Sequence, residues 1–302
     1  MNTRTVRVLM ILSVMLGTSA ALAAGRTYDK RLDAPPGGHL TFDTDVGSVS
    51  VVGRDAPQVV IHADLEGSED FLSRFHMSAE QTPTGVTFSA RVDHKGWHDW
   101  FNFGHTRVRF TVEVPRNYPV ELKTAGGGID LRDLNASVHG VTSGGGIVVQ
   151  NIAGAVDAHT SGGSIKAKTL KAGARLDSSG GSIEVTDSSG DLDIHTSGGS
   201  IEMDNDDGKV DADTSGGGIR AQLRSNRGIS LRSSGGSITL LLPQGTHASI
   251  DAATSGGRVT SDFPLSSTET TSRSHLEGAI GGGGPAIYLR TSGGSIRVSP
   301  PG

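Results

Sequence analysis

A short phrase, Thr/Ser-Ser-Gly-Gly-Ser/Gly-Ile, recurs along this chain and limits what it can fold into. Copies begin at Thr124 (with Ala125 in place of the serine), Thr142, Thr160, Ser178, Thr196 and Thr214, each 18 residues after the last. Looser copies start at Ser233, Thr254 and Thr291, and a degenerate one, Thr44-Asp-Val-Gly-Ser-Val49, lies upstream. A fixed period near 20 residues is the signature of a repeat architecture, in which no single repeat buries enough to fold alone.

The interior of one period is read by alternation, with the Thr/Ser as position zero. Position five is Ile129, Ile147, Ile165, Ile183, Ile201 and Ile219; position seven is Leu131, Val149, Ala167, Val185, Met203 and Ala221. Position fourteen is Val138, Val156, Ala174, Leu192 and Val210, and position sixteen includes Ala158, Leu176, Ile194 and Ala212. Each coil therefore holds two period-two strands, each with one apolar face. Gly-Gly makes one turn, and Gly154, Gly173, Gly190 or Gly208 makes the other, through positive φ or close backbone approach. The expected fold is all-β: a single-stranded-coil β-solenoid with 18-residue coils stacked at about 4.8 Å and a β-rich N-terminal cap. Alternation points the position-zero hydroxyl inward, where it needs a partner in the next rung or among the Gly-Gly amides.

Residues 1–24 read as a secretory leader, with Arg4 and Arg7 before the apolar run Val8 to Leu16 and the small residues Ala21-Leu-Ala23-Ala24 after it. That run is too short for a membrane span. An exported protein of the periplasm or cell surface is expected. The sequence holds no cysteine, so there is no thiol for a disulfide or for lipid attachment. Glycine, at 44 of 302 residues, is about twice its usual share, and its periodicity argues for corners rather than disorder. The formal charge is −5, or −7 once Arg4 and Arg7 leave with the leader. Between Thr124 and Asp213 stand 14 acids against 6 Lys/Arg, a local −8. Nucleic acid and anionic membrane surfaces are disfavoured partners for such a surface.

Four stretches follow: the leader 1–24, a β-rich capping section 25–123, solenoid repeats 124–262, and a loop plus closing strands over 263–302. Within the second, Val49 to Val52, Val59 to Ala63, Gly85 to Val92 and Arg107 to Val114 read as strands, and 66–83 is ambiguous. Residues 265–284, rich in Ser, Thr and Gly, read as a loop, with Ala286 to Arg290 and Ser295 to Ser299 closing the solenoid.

The stretch 94–105 carries both tryptophans of the chain. Its Trp97, His98, Trp100, Phe101 and Phe103 fit either a plug folded over the solenoid end or a contact site for a sugar ring or apolar partner. Outward columns are the second candidate. Position seventeen reads His159, Asp177, His195, Asp213, and position fifteen reads His139, Asp157, Arg175, Asp193, Asp211. Charge pairing that keeps rungs in register explains them; His159, Asp177, His195 and Asp193 are the residues that would hold a metal if one bound. Asp204-Asn-Asp206-Asp207-Gly208 reads as an acidic turn, since its spacing is not that of a calcium loop. No metal, cofactor or catalytic residue is assigned.

The repeated Thr-Ser-Gly-Gly-Ser-Ile, Gly47-Ser-Val-Ser-Val-Val-Gly53, Val112-Glu-Val-Pro115 and Gly278-Ala-Ile-Gly-Gly-Gly-Gly-Pro285 resemble the bacterial putative-adhesin β-strand-repeat family, a domain family of unknown function. The resemblance covers nearly all of 40–299 and implies the solenoid fold without supplying catalytic residues; the stretch 94–105 has no counterpart in it. The expected role is adhesion or envelope scaffolding through a rigid acidic surface, with an envelope protein or glycan as partner. The alternatives are a glycan-binding module and, behind it, a β-helical carbohydrate-active enzyme using the column Asp157, Asp193 and Asp211. The chain is expected to be a monomer or to associate weakly end to end.

Overall fold

In a computed structural model, which describes residues 24–93 and 106–302, the chain forms two long sheets of 13 and 14 strands packed face to face. Each regular coil gives one strand to each sheet. In one sheet Ile129, Ile147, Ile165, Ile183, Ile201, Ile219 and Ile238 stand in parallel register, each opposite the next. In the other, Val138, Val156, Ala174, Leu192 and Val210 do the same. The 18-residue spacing is the height of one rung, so the expected β-solenoid is the observed fold. Positions five, seven, fourteen and sixteen are buried throughout these coils.

The position-zero hydroxyls point inward and are satisfied twice. Thr160 Oγ1 donates to the Gly145 carbonyl of the preceding coil (2.8 Å) and accepts from the Gly163 N–H of its own turn (3.2 Å). Thr142, Thr196, Thr214 and Ser178 repeat the pattern. Each hydroxyl thus ties one coil to the next and fixes its own corner, and burial in an apolar interior makes losing it costly.

Of the two reasons expected for glycine at the corners, close backbone approach is the one that holds. The second glycine of each phrase has no positive φ; it is needed because coils touch there. A Cβ at Gly163 would lie 2.2 Å from the Gly145 carbonyl oxygen, and Gly145, Gly181 and Gly199 are equally confined. At the opposite corner the left-handed backbone belongs to non-glycine residues: Asp133, Asn151, Thr169, Asp187 and Asn205 have φ between 56° and 62°. Asn and Asp tolerate this region because their short side chains bond locally. Here they bond up the stack, Asn151 Nδ2 to Asp133 Oδ1 (2.6 Å) and Asn205 Nδ2 to Asp187 Oδ1. The left-handed residue also shifts the alternation by one. Position ten, not nine, therefore turns inward, adding Leu134, Ile152 and Leu170 to the core.

Both ends differ from the middle. At the N-terminal end Phe42, Phe88 and Phe110 pack with ring centroids 4.5–5.5 Å apart, replacing the small aliphatics of the repeats. The ambiguous stretch 66–83 contains a short helix, Glu69–Arg74, capped by Ser68, and the strand Phe75–Thr82. The outer strands here, Ala24–Asp33 and Phe75–Thr82, pair antiparallel with their neighbours. At the C-terminal end the segment read as a loop is a hairpin instead, Leu265–Thr271 with His275–Ile280, again antiparallel. Its strand register shifts twice, which blunts an edge that alternation in the sequence does not reveal. The closing strands are also displaced from the expected order. Ala286–Thr291 lies between Ile229–Ser233 and Ala248–Thr254, and Ile296–Ser299 lies between Ile238–Leu241 and Val259–Ser261. The last coil of the sequence is therefore the penultimate coil of the stack.

Candidate contact surface

The outward columns of the 14-stranded sheet form a densely charged lateral face. Parallel register sets His159, Asp177, His195 and Asp213 side by side in one column, and His139, Asp157, Arg175, Asp193 and Asp211 in the next. The bonds run mainly between oppositely charged neighbours. His139 Nδ1 meets Asp157 at 3.1 Å, and His195 Nδ1 meets Asp213 at 3.4 Å. Arg175 bridges Asp177 (3.1 Å) and Asp193 (3.7 Å), while Arg232 reaches Asp211 at 3.1 Å. The pairs are exposed and individually weak, but misregister by one coil would set carboxylates against carboxylates, as Asp193 and Asp211 already stand. Among the described residues no group of three His, Asp or Glu side chains could hold a metal ion. His159, Asp177, His195 and Asp193 are brought onto one face without forming a ligand set.

Toward the C-terminal end this face carries a denser network. Asp251 accepts from His275 Nε2 (3.0 Å) and from Arg290, and the Arg290 guanidinium lies 4.0 Å over the Tyr288 ring. The Arg290 charge beside Asp251 holds its carboxyl below the usual range. This network staples the inserted last coil to the coil outside it.

The 13-stranded sheet has an open groove of about 470 Å³ on its outer face. Its floor is the backbone at Gly128 and Gly146, where later coils carry Ser164, Ser182 and Ser200. Val148 and Asp130 line one side. Arg109 and Lys166 stand on the flanking strands, Lys166 paired with Glu184 of the next coil at 2.9 Å.

The sequence reading missed Asp206. It is not in a turn: it ends the strand Ile201–Asp206 and fills the inward tenth position with 1% exposure. Burial pushes its carboxyl up to about 7, against the partial relief of the Ser188 N–H bonded to Oδ1 (2.7 Å) and the nearby Arg224 charge. Its Oδ2 and the Ser188 hydroxyl are both buried without a hydrogen-bond partner. Asp207, by contrast, is held by Arg227 (2.6 Å) and Ser225 (2.6 Å), and the arginine lowers its carboxyl below the usual range. The signal available in the sequence was the 18-residue column Leu134, Ile152, Leu170, Ser188, Asp206.

Trp97, His98, Trp100, Phe101 and Phe103 lie outside the described residues. The strands that bound their segment are firmly seated, Gly85–Val92 in the 14-stranded sheet and Arg107–Pro115 in the other.

The Toastrack DUF4097 family profile matches residues 39–299. The chain belongs to the Toastrack family. Among solved structures it is similar to a protein of Bacteroides fragilis described as a putative adhesin, at 12% identity and TM-score 0.39, covering 90% of this chain and 97% of that one. A Parabacteroides distasonis protein with the same description is 11% identical, TM-score 0.36, covering 91% and 98%. Another from Parabacteroides distasonis, described as a putative lipid binding protein, is 12% identical, TM-score 0.34, with the same coverage. A search of curated proteins gives no match. Among the described residues of this Toastrack chain, no helix is long and apolar enough to cross a membrane.

Proposed function

We propose that this Toastrack protein is exported to the periplasm or cell surface and acts there, without catalysis, as an adhesin or envelope scaffold. The observation that carries the reading is where the chain invests its specificity. Inward hydroxyls, confined glycines and stacked Asn/Asp corners hold two continuous sheets in register, and the outward residues are mostly engaged with one another. Such a framework presents side chains at fixed intervals of about 4.8 Å over a long, acidic surface. The segment 94–105 supplies the aromatic contact through Trp97, Trp100, Phe101 and Phe103, together with His98. An envelope protein or glycan is the partner.

The test is capture from bacterial envelope fractions with the mature wild type and the Trp97→Ala/Trp100→Ala variant, after circular dichroism shows both folded. Retention of a partner by the wild type alone supports the reading. Identical captures move the contact to the lateral faces. A variant that unfolds shows the aromatics to be a cap.

The groove over Gly128 and Gly146 favours a second reading, a module for an extended, anionic envelope glycan. Its bare backbone floor admits close approach, and Arg109 and Lys166 mark its two ends. An Arg109→Ala/Lys166→Ala variant that binds acidic glycan as tightly as wild type removes this reading. Asp157→Asn and Asp193→Asn serve as the control for carbohydrate turnover: any activity lost with them contradicts a non-enzymatic role.

A further inference from the structure

The inserted last coil makes this solenoid able to exchange a piece of itself. Residues 286–299 enter both sheets between two coils that precede them in sequence. Ile287, Leu289, Ile296 and Val298 are buried there, at 0–1% exposure. The slot accepts more than a strand. Thr291 Oγ1 donates to the Gly236 carbonyl on one side (2.6 Å), and the Gly294 carbonyl accepts from Thr254 Oγ1 on the other (2.6 Å). A Cβ at Gly294 would lie 2.4 Å from Gly236 backbone. An occupant must therefore bring two apolar strands joined by Thr-x-x-Gly, which is the repeat of this chain.

A competing closure exists. The coil outside the slot carries the same phrase, Thr254-Ser-Gly-Gly257, and precedes the last coil in sequence. It can stack directly on the coil at Ser233, and the last coil is then left without a place. Its tether is Gly281-Gly-Gly-Gly284-Pro285, with φ of 61°, 90° and 92° at the first three. This link steps over the start of Ala248–Thr254, from the antiparallel neighbour on one side to the inserted strand on the other. Glycines reopen such a link at no side-chain cost.

We propose that residues 286–299 exchange between two copies of this chain, each inserting its last coil into the partner's slot. The exchanged pair keeps every contact of the closed form and changes only the glycine link, which is the condition for domain swapping.

The chain has no cysteine, so thiols report cleanly. Thr239 and Arg297 face each other across the slot in neighbouring parallel strands, within the range a disulfide bridges. Full-length Thr239→Cys and Arg297→Cys are mixed in equal amounts, held just below the unfolding midpoint, cooled and oxidised. Exchange gives a disulfide-linked heterodimer in about half of the dimer fraction. Registered thiols should exceed a Lys166→Cys plus Arg297→Cys control roughly tenfold, because their effective concentration far exceeds that of colliding molecules. The double variant Thr239→Cys/Arg297→Cys, oxidised as monomer, should not exchange. A second variant acts on the link: Gly282→Pro/Gly283→Pro cannot adopt positive φ and should raise the dimer fraction severalfold. Cross-linking no greater than the control, or a folded proline variant that stays monomeric, overturns the proposal.

Discussion

Asp206 occupies an inward position that Leu134, Ile152 and Leu170 fill with aliphatic side chains. Its carboxyl is pushed from 3.8 to about 7, with burial as the main cause. That shift is worth on the order of 4 kcal/mol at pH values above 7, at 1.36 kcal/mol per pKa unit. The sign follows from proton counts. The folded chain keeps the proton up to about pH 7, while the unfolded chain loses it near 3.8. Between these values the unfolded state binds fewer protons, so stability from this group falls as pH rises from about 4 to 7 and is then flat. The perturbation is Asp206→Asn. Its carbonyl keeps the acceptor for the Ser188 N–H, and its amide supplies a donor beside the unpartnered Ser188 hydroxyl.

Urea unfolding of both proteins at intervals between pH 4 and 8 reads the difference directly. At pH 4 the two should differ by about 1 kcal/mol or less. By pH 8 Asp206→Asn should be more stable, by about 2–4 kcal/mol. Taking the difference cancels every other titrating group. If that difference stays constant across the range, Asp206 does not ionise in the folded core within it, and the reasoning fails.

Three further expectations follow from the corners and the edge. Thr169 is the β-branched member of the left-handed column, at φ 57°; Thr169→Asn should stabilise by about 1 kcal/mol and Thr169→Val should destabilise, read as shifts in urea midpoint. Gly163→Ala should destabilise by at least ~2 kcal/mol, because its Cβ meets backbone at 2.2 Å, whereas Gly162→Ala, at 3.3 Å, should be far milder; equal effects would refute the close-approach account. His62 bridges Asp29 (2.7 Å) and Asp64 (3.1 Å), and the Asp29 bond chiefly raises its pKa. Its contribution is full below about 6.5 and lost as pH rises through the raised value. Amide exchange over Ala24–Asp33, corrected for intrinsic pH dependence, should therefore quicken as pH rises above about 6.5, and His62→Gln should remove that step.

The coil, its two strands, the inward hydroxyls and the Ile column were all legible because they repeat locally at one spacing. The left-handed corner was not. Asp, Asn, Thr, Asp and Asn at one column look like surface polarity, and only φ shows that they reverse the alternation and send the tenth residue inward. Asp206 was misread for that reason. A window of Asp-Asn-Asp-Asp reads as solvated, while the left-handed Asn205 just before it decides its burial. The hairpin over 265–280 was hidden by its Ser and Thr content, since an edge strand of a capped stack has little apolar face to display.

Strand order was beyond local reading altogether. The phrases at Thr254 and Thr291 are nearly identical; Thr291 bonds the Gly236 carbonyl of the coil at Ser233, and Thr254 bonds the Gly294 carbonyl of the last coil in the same way. Periodicity fixes what a rung looks like but is indifferent to which rung follows which. The choice is made by what lies outside the repeat: the hairpin that pairs antiparallel with Ala248–Thr254, and the His275–Asp251–Arg290 network that joins three strands around it. These hold the eighth coil outermost and leave the slot for the ninth. The same degeneracy that lets a solenoid grow by duplication leaves its last coils interchangeable, and it is the irregular end that gives this stack a defined order.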